Sequence, residues 1–155
     1  MSTTSLIRRL ITLAACLFPG CRAGQMPESP GTGLADEARW VNRLIVLSAS
    51  ERDDAILHEQ QLRLDGMSDE LAERHLLVVR LVPGDAQFGT TTLADDDITP
   101  LRSRWNISTP SFHAALVGKD GKVKDRWATA FDPGEMNALI DSMPMRQDEM
   151  QAQPR

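Results

Sequence analysis

Two apolar runs constrain the fold of this chain more than any other feature of its sequence. Residues 44–47 are Leu-Ile-Val-Leu, and residues 76–82 are Leu-Leu-Val-Val-Arg-Leu-Val. Runs without regular polar alternation are typical of strands covered on both faces, as in parallel sheets. Between them, apolar residues recur near helical spacing, with Gly66 expected to kink or divide the helix. This strand, helix and strand predict a right-handed parallel crossover.

The second half of the chain predicts a hairpin followed by a helix. Two apolar stretches, residues 112–117 and 123–127, flank a Lys-Asp-Gly-Lys sequence at 119–122 that is typical of a tight antiparallel turn. Asp132 is then expected to cap a final helix, because a Pro and an acidic residue follow it in the first turn. Pro144 ends that helix.

A polar loop and a short helix are expected between the two halves. Residues 85–97 lack any period, and their last three, all Asp, are interpreted as a solvated loop rather than a cation site. Thr99 is expected to cap a short helix with Pro100 in its first turn, continuing through Trp105.

The order of these elements is βαβ, a short helix and ββα. It predicts an α/β, thioredoxin-like fold, with a central mixed sheet of about four strands flanked by helices. Thr109-Pro110 stands directly before the third strand, where thioredoxin-like proteins place a cis-proline beside the active site. Both the cis and the trans state of Pro110 are open.

Three segments resemble a known family. They are Trp-Val-Asn-Arg-Leu-Ile-Val-Leu from residue 40, Leu-Val-Gly-Lys-Asp-Gly-Lys-Val from residue 116 and, most specifically, Ile-Asp-Ser-Met-Pro-Met-Arg-Gln-Asp-Glu-Met over residues 140–150. The chain is similar, over about residues 38–150, to the domain of unknown function 4174 family. Its domains, also called P-DUDES, occur in animal extracellular sushi-repeat proteins. The resemblance implies a thioredoxin-like fold and supplies no catalytic residues.

The N-terminal segment resembles an export signal. Arg8-Arg9 precede an apolar stretch from residue 10 to 18 that is too short to span a bilayer, and small residues follow before Gly24. We expect residues 1–23 to be a signal peptide and the protein to be periplasmic or secreted. The alternative is a membrane-attached lipoprotein, because Leu-Ala-Ala-Cys ending at Cys16 resembles a lipobox.

The remaining chain divides into three expected parts. Residues 24–37, rich in Pro, Gly and small polar residues at their start, are predicted to form a flexible linker. Residues 38–146 are predicted to form the thioredoxin-like domain, and residues 147–155 a loose polar tail.

Charge and aromatic residues bear on partners. The formal net charge is -5, which disfavours nucleic acid as a partner.

Strand alternation over residues 122–127 places Lys122, Lys124 and Arg126 on one face, opposite Val123, Asp125 and Trp127. With Lys119, and with Arg102 and Arg104, these cations form either a solvated edge or a basic stripe for an acidic partner. At least two of the three Trp side chains are expected to pack into the core.

Cysteine and histidine positions argue against several chemistries. Both cysteines precede residue 22, so neither stands at the start of the first helix, where a thioredoxin oxidoreductase needs its thiols. A Cys peroxidase lacks its nucleophile for the same reason. His58, His75 and His113 fall on different elements without a metal-ligand spacing, and no metal or cofactor is expected.

Two functional hypotheses remain open. The first is a non-catalytic binding module for a peptide or another component of the cell envelope. The second is an enzyme with an unrecognised non-thiol site, in which Ser50, Asp53, His113 and the acidic loop converge. Ser50 and Asp53 also resemble a helix capping box. The residues expected to form the binding edge of the first hypothesis are Ser50, Asp53, Arg102, Arg104, Trp105, Thr109 and Pro110.

Overall fold

A computed structural model of the protein describes residues 29–107 and 111–152. The described helices are α1 (Pro30–Ala38), α2 (Ala55–Asp65), α3 (Ser68–Glu73), α4 (Asp95–Arg104), α5 (Pro133–Asp141) and α6 (Pro144–Ala152). The strands are β1 (Arg43–Ser48), β2 (Leu76–Leu81), β3 (Gln87–Phe88), β4 (Thr91–Thr92), β5 (His113–Val117) and β6 (Val123–Trp127).

One mixed sheet holds all six described strands, in the order β4-β3-β2-β1-β5-β6. Strand β1 pairs with β2 in parallel and with β5 in antiparallel, and β5 and β6 form the expected hairpin with β6 at an edge. The predicted α/β architecture with a central mixed sheet is confirmed, but the sheet has six strands where about four were expected. The expected loop of residues 85–97 contains the two short strands β3 and β4, because a pair of two-residue strands is too short to show a period.

The sheet is buried between two layers of helices. Every residue of β1 is buried, and its side chains alternate between the faces. Leu44 and Val46 pack in a cluster that α1 and α4 cover, whereas Ile45 and Leu47 pack in a cluster that α2, α3 and α5 cover. The unalternating apolar run of β1 is therefore explained by burial on both faces.

Strand β6 departs from simple alternation. Its register against β5 shifts between Leu116 and Val117. Val123 consequently packs against the cluster that contains Val117, while Trp127 packs against the cluster on the other face of the sheet. The expectation that Val123 and Trp127 share a face is wrong, since one extra residue in a strand moves the following side chains to the opposite face.

The helix caps differ from those expected. The carboxylate of Asp54 accepts hydrogen bonds from the Ile56 and Leu57 amides at 3.0 and 2.9 Å, so Asp54 caps α2. Ser50 and Asp53 lie earlier in the exposed loop and do not form the expected capping box. This difference arises because α2 begins at Ala55, which leaves only Asp54 directly before its first turn.

Helix α4 begins four residues before the position expected for its cap. The acidic residues 95–97 form its first turn instead of a loop, where their charge suits the positive end of the helix dipole. Thr99 and Pro100 consequently lie inside the helix. Buried Asp97 accepts hydrogen bonds from the Ala94 amide at 3.2 Å and from the Gly31 amide of α1 at 3.0 Å.

Part of the expected linker is helical. Helix α1 occupies residues 30–38 and packs on α4, with Gly31 so close to Asp97 that an added Cβ would lie 2.9 Å from the Asp97 Cβ. The linker prediction is therefore wrong for residues 30–37. The composition of this segment concealed the helix because its contacts are with α4, far away in sequence. The predicted signal peptide, residues 1–23, lies outside the described residues.

The expected polar tail is also helical as far as residue 152. Buried Arg146 of α6 donates to Asp141 at 3.1 Å and to the Glu73 carboxylate at 2.6 Å. Glu149 accepts hydrogen bonds from Arg43 at 3.1 and 3.3 Å and lies 2.7 Å from the Lys119 ammonium. Helix α6 lies mostly within residues 140–150, the most specific segment of the family resemblance. It is attached to the domain by these ion pairs rather than by an apolar face.

None of the six described helices combines the length and the apolar character needed to span a bilayer.

Candidate binding site

The carboxyl ends of the parallel strands β1 and β2 meet at one edge of the sheet, which is where open α/β sheets commonly bind ligands. The loop of residues 50–54 follows β1, and the turn at Gly84 follows β2. The Arg52 guanidinium donates to the Gly84 carbonyl, and the Gly84 amide donates to the Asp95 carboxylate of α4 at 2.8 Å. We call this region, with Ser48, Arg102 and His113, the carboxyl edge.

Arg102 joins the parts of the carboxyl edge. From α4, its Nε donates to the Ser48 hydroxyl at 2.9 Å, and its Nη2 donates to the carbonyls of Ala49 and Leu81 at 2.6 and 2.7 Å. Among the described residues, no carboxylate lies within 4.0 Å of this guanidinium. All its observed partners are neutral, so Arg102 holds a fixed positive charge that the described protein does not neutralise.

Burial lowers the pKa of Arg102 from its ordinary value. An arginine nevertheless remains charged at any physiological pH. The energetic cost of that partly buried charge would fall if an external anion approached, because opposite charge and charge-assisted hydrogen bonds favour the ionised form.

Ser48 begins the loop that the sequence places at the binding edge, although it is not among the individual residues expected to bind. It is fully buried at the end of β1, and its hydroxyl lies between Arg102 and the Leu81 carbonyl. The β1–β5 register places Ser48 opposite half-buried His113, whose Nδ1 lies 3.1 Å from the Ser111 carbonyl oxygen. A polar residue at the end of an otherwise apolar run was the signal that could have identified Ser48.

The structure brings only some of the expected site residues together. Ser50 and Asp53 are exposed in the loop of the carboxyl edge, where Arg102 also lies. Arg104 instead forms an ion pair with Asp36 of α1, and its hydrogen bond is the main reason that the pKa of Asp36 is lowered. Trp105 is only 2% exposed and belongs to the core between the sheet and α4.

Thr109 and Pro110, the remaining expected site residues, lie outside the described part of the chain. The state of the Pro110 peptide bond stays a prediction. Among the residues that are described, no hydrogen bond joins His113 to Ser50 or Asp53, so the convergence that an enzyme would require there is not observed.

The expected basic stripe is divided among separate contacts. Arg126 donates to the carbonyls of Trp105 and Asn106, which end α4, at 2.5 and 3.1 Å. Lys124 donates to Asp120 at 2.8 Å, and Lys119 pairs with Glu149. These cations neutralise local acceptors and do not form one continuous surface with Arg102.

The described titratable residues do not form a metal site. Over residues 29–107 and 111–152, no three His, Cys, Asp or Glu side chains are grouped so that they could hold a metal ion. His58 lies on α2, His75 follows α3 and His113 lies on β5.

Comparison with known proteins gives both a family match and a relative. The model of a family described as "Domain of unknown function (DUF4174)" matches residues 34–149. The chain is also 30% identical over 154 residues to coiled-coil domain-containing protein 80 of Danio rerio, covering 86% of this chain. It spans only 17% of the length of that relative.

Solved structures with a similar fold include proteins of thiol chemistry. The reduced 2-Cys peroxiredoxin of Plasmodium vivax matches with a TM-score of 0.54 and 11% identity, over 73% of this chain and 71% of the other. A thiol:disulfide interchange protein from Bacteroides sp. matches with a TM-score of 0.51 and 10% identity, over 71% and 76% of the two chains. At such identities the likeness shows the fold alone.

Proposed function

This chain belongs to the DUF4174 family and has a thioredoxin-like fold, and we propose that it is an exported, non-catalytic binding module. Its carboxyl edge binds an extended peptide, or another component of the cell envelope, that carries a carboxylate. The observation that carries this proposal is the guanidinium of Arg102, which the described protein fixes through three neutral oxygens and leaves without a counter-charge.

The surroundings of Arg102 favour binding over thiol chemistry. The loop before α2 contains Ser-Glu-Arg-Asp-Asp at 50–54, and both cysteines of the chain precede residue 22. A thiolate at a helix N-terminus is what gives thioredoxin-like enzymes their nucleophile. A thioredoxin-like fold can keep a binding edge without this thiolate, because function depends on the residues of the site and not on the fold.

The ligand class follows from the geometry of the edge. Guanidinium groups recognise carboxylates through short, charge-assisted hydrogen bonds. In thioredoxin-like folds an extended chain can pair with backbone beside the cis-proline, and Thr109-Pro110 stands at that position of the sequence. Export remains a separate part of the proposal, supported by the signal-like residues 1–23.

The proposal is tested by selecting binders from a random peptide library displayed on phage and measuring the affinities of the synthesised peptides by calorimetry. We expect enrichment of Asp and Glu. Arg102→Gln should weaken binding by roughly tenfold or more, because a hydrogen bond to a charged group contributes about 1.5–3 kcal/mol. Arg104→Gln is the matched control on the same helix, since Arg104 pairs with Asp36 instead of facing the edge.

A second variant separates lost binding from lost folding. Ser50→Trp adds bulk to an exposed loop and should block the edge without changing the thermal midpoint, whereas Arg102→Gln also removes buried hydrogen bonds. Unchanged affinity in both Arg102→Gln and Ser50→Trp would show that the selected peptides bind elsewhere and would refute the carboxyl edge as the site.

A further inference from the structure

The exposed large apolar side chains of the described residues are concentrated at one end of the domain. Five are exposed, and four of them, Trp40, Val41, Met145 and Met150, lie where β1 begins. Met145 and Met150 belong to α6, which reaches the first residue of β1 through the Glu149–Arg43 ion pair. We call this end, opposite the carboxyl edge, the amino pole. A cluster of exposed apolar groups on a soluble domain marks an interaction surface.

Trp40 is the most unusual residue of the amino pole. Its side chain is 59% exposed, yet its backbone has a φ of 69°. A bulky aromatic residue is disfavoured in this left-handed region, and such strain is found preferentially at functional positions. The Arg39 guanidinium lies 5.4 Å from the Trp40 ring centroid. The core gains little from this exposed ring, which points to a role at the surface.

A cavity lies at the β5–β6 turn, which Trp40 contacts. Its volume is about 510 Å³, and its mostly apolar wall includes Leu139, Met143 and Met145. The β5–β6 turn joins the cavity to Trp40, because the Trp40 amide donates to the Lys119 carbonyl at 2.6 Å and Lys119 also lines the cavity. The cavity and the exposed aromatic ring thus flank the same turn.

Cations outnumber carboxylates around the β5–β6 turn of the amino pole, although the chain as a whole has a net charge of -5. The carboxylates that border this turn and its cavity are Asp120, which pairs with Lys124, and Glu149, which pairs with Arg43 and Lys119. Arg39 and Lys122 are exposed, and within the described residues neither forms an ion pair within 4.0 Å. Two carboxylates therefore face five cations, so this turn complements an acidic partner.

We propose that the amino pole binds an acidic segment of a partner protein, which inserts an apolar side chain into the cavity beside Trp40. Trp and Arg are enriched at the energetic centres of protein interfaces, and apolar anchors in pockets supply much of the affinity. This surface is distinct from the carboxyl edge, and the inference does not depend on the proposed function of that edge.

The cavity favours a protein partner over a membrane. Its apolar wall, which includes Leu139, Met143 and Met145, is concave and suits a projecting side chain, such as the anchor residue of a peptide.

The test uses two synthetic peptides of about eight residues, one alternating Glu or Asp with Leu and the other with Lys in place of every acid. Binding to the ¹⁵N-labelled protein is followed by chemical-shift changes. We expect the acidic peptide to shift the Trp40 indole and the amides of Lys119 and Met145, and to bind at least tenfold more tightly than the Lys peptide. Added salt should weaken its binding.

Variants then assign the surface. Trp40→Ala and Lys122→Glu should each weaken binding of the acidic peptide by roughly tenfold. The matched control is Leu62→Ala, because Leu62 is the fifth exposed apolar residue and lies on α2. Thermal midpoints of all variants are measured, and the exposed Lys122 substitution tests the surface independently of any folding effect at Trp40.

Three results would overturn the proposal. The first is the absence of acidic-peptide binding up to about 1 mM, which is the weak limit of specific recognition. The second is an equal affinity of Leu62→Ala and Trp40→Ala for the acidic peptide. The third is Trp40-dependent binding of phosphatidylglycerol vesicles without peptide binding, which would make the amino pole a membrane-binding surface.

Discussion

Replacing Glu149 with Gln is expected to destabilise the domain strongly, although Glu149 lies in the segment whose sequence predicts a loose tail. Its carboxylate pairs with Arg43 at 3.1 Å and with Lys119 at 2.7 Å, and Arg146 lies 3.9 Å away. The Arg43 and Lys119 side chains are only 1% and 8% exposed, so water cannot replace the lost charge. Glu149→Gln would leave two neighbouring buried cations sharing a neutral amide.

The magnitude follows from the burial of these partners. Removing one member of a buried ion pair costs about 3–5 kcal/mol, because it leaves an uncompensated charge. We expect the lower end, about 3 kcal/mol, since Glu149 is itself 20% exposed and Arg43 keeps its hydrogen bond to the Arg74 carbonyl at 2.8 Å. For a domain of this size, such a loss lowers the thermal midpoint by about 10 °C.

The pH dependence gives an independent signature. Burial acts to raise the pKa of Glu149, but hydrogen bonds and charge attraction from Lys119 and Arg43 outweigh it, so the pKa lies below its ordinary value. The unfolded carboxyl titrates near pH 4.3. The stabilisation is therefore complete above about pH 5 and is lost as the pH falls through the folded pKa. Asp141, held by Arg74 and Arg146 against the opposing effect of burial, follows the same direction.

The assay is urea unfolding followed by circular dichroism at pH 7 and at several lower pH values. Glu149→Gln should lower the unfolding free energy at pH 7 and reduce its slope with pH below about pH 5, where the unfolded carboxyl begins to take up a proton. Asp148→Asn is the matched control, because it removes the same charge from the adjacent exposed position of α6. Equal stability of Glu149→Gln and Asp148→Asn at pH 7 would refute the ion-pair attachment of α6.

Three further predictions concern other parts of the chain. Intact mass of the exported protein should show loss of residues 1–23; a chain beginning at acylated Cys16 would establish the lipoprotein alternative, and an unprocessed cytoplasmic chain would contradict export. Insulin-reduction and peroxide assays should give background rates because no cysteine follows residue 21, so turnover above background would reveal a different reactive group. Trp40→Gly should have an unfolding free energy about 1 kcal/mol higher than Trp40→Ala, since both variants lack the ring and only glycine accepts a left-handed φ without strain; equal stability of the two variants would show that the backbone at residue 40 is not strained.

Local pattern was sufficient for the central part of the fold. The unalternating runs of β1 and β2, the Lys-Asp-Gly-Lys turn between β5 and β6, and the cap at Asp132 each depend on residues within a few positions of one another. Such signals arise from burial on both faces, from turn geometry and from unpaired amides at a helix start. The parallel crossover then followed from the handedness of connections between strands.

Contacts between distant residues decided what the sequence pattern did not contain. Helix α1 depends on the Gly31–Asp97 hydrogen bond across 66 positions, and α6 on the Arg43–Glu149 pair across 106. Helix α6 needs no apolar period, because its partners are charged groups elsewhere in the chain. Helix α1 buries only small residues, Ala35 and Ala38, against the core, so its apolar face is weak in the sequence.

In the candidate site, too, the sequence identified some residues and only the tertiary structure could assign the others. The sequence by itself placed Ser50, Asp53 and Arg102 among the residues of the binding edge, because thioredoxin-like folds have their active-site edge at the start of the first helix, beside the cis-proline. Only the tertiary structure separated Arg102 from Arg104, two positions further along α4: Arg102 reaches Ser48, Ala49 and Leu81, while Arg104 reaches α1. Residues two positions apart on a helix point about 200° apart around its axis, and which of them faces the edge is set by how α4 packs on the sheet.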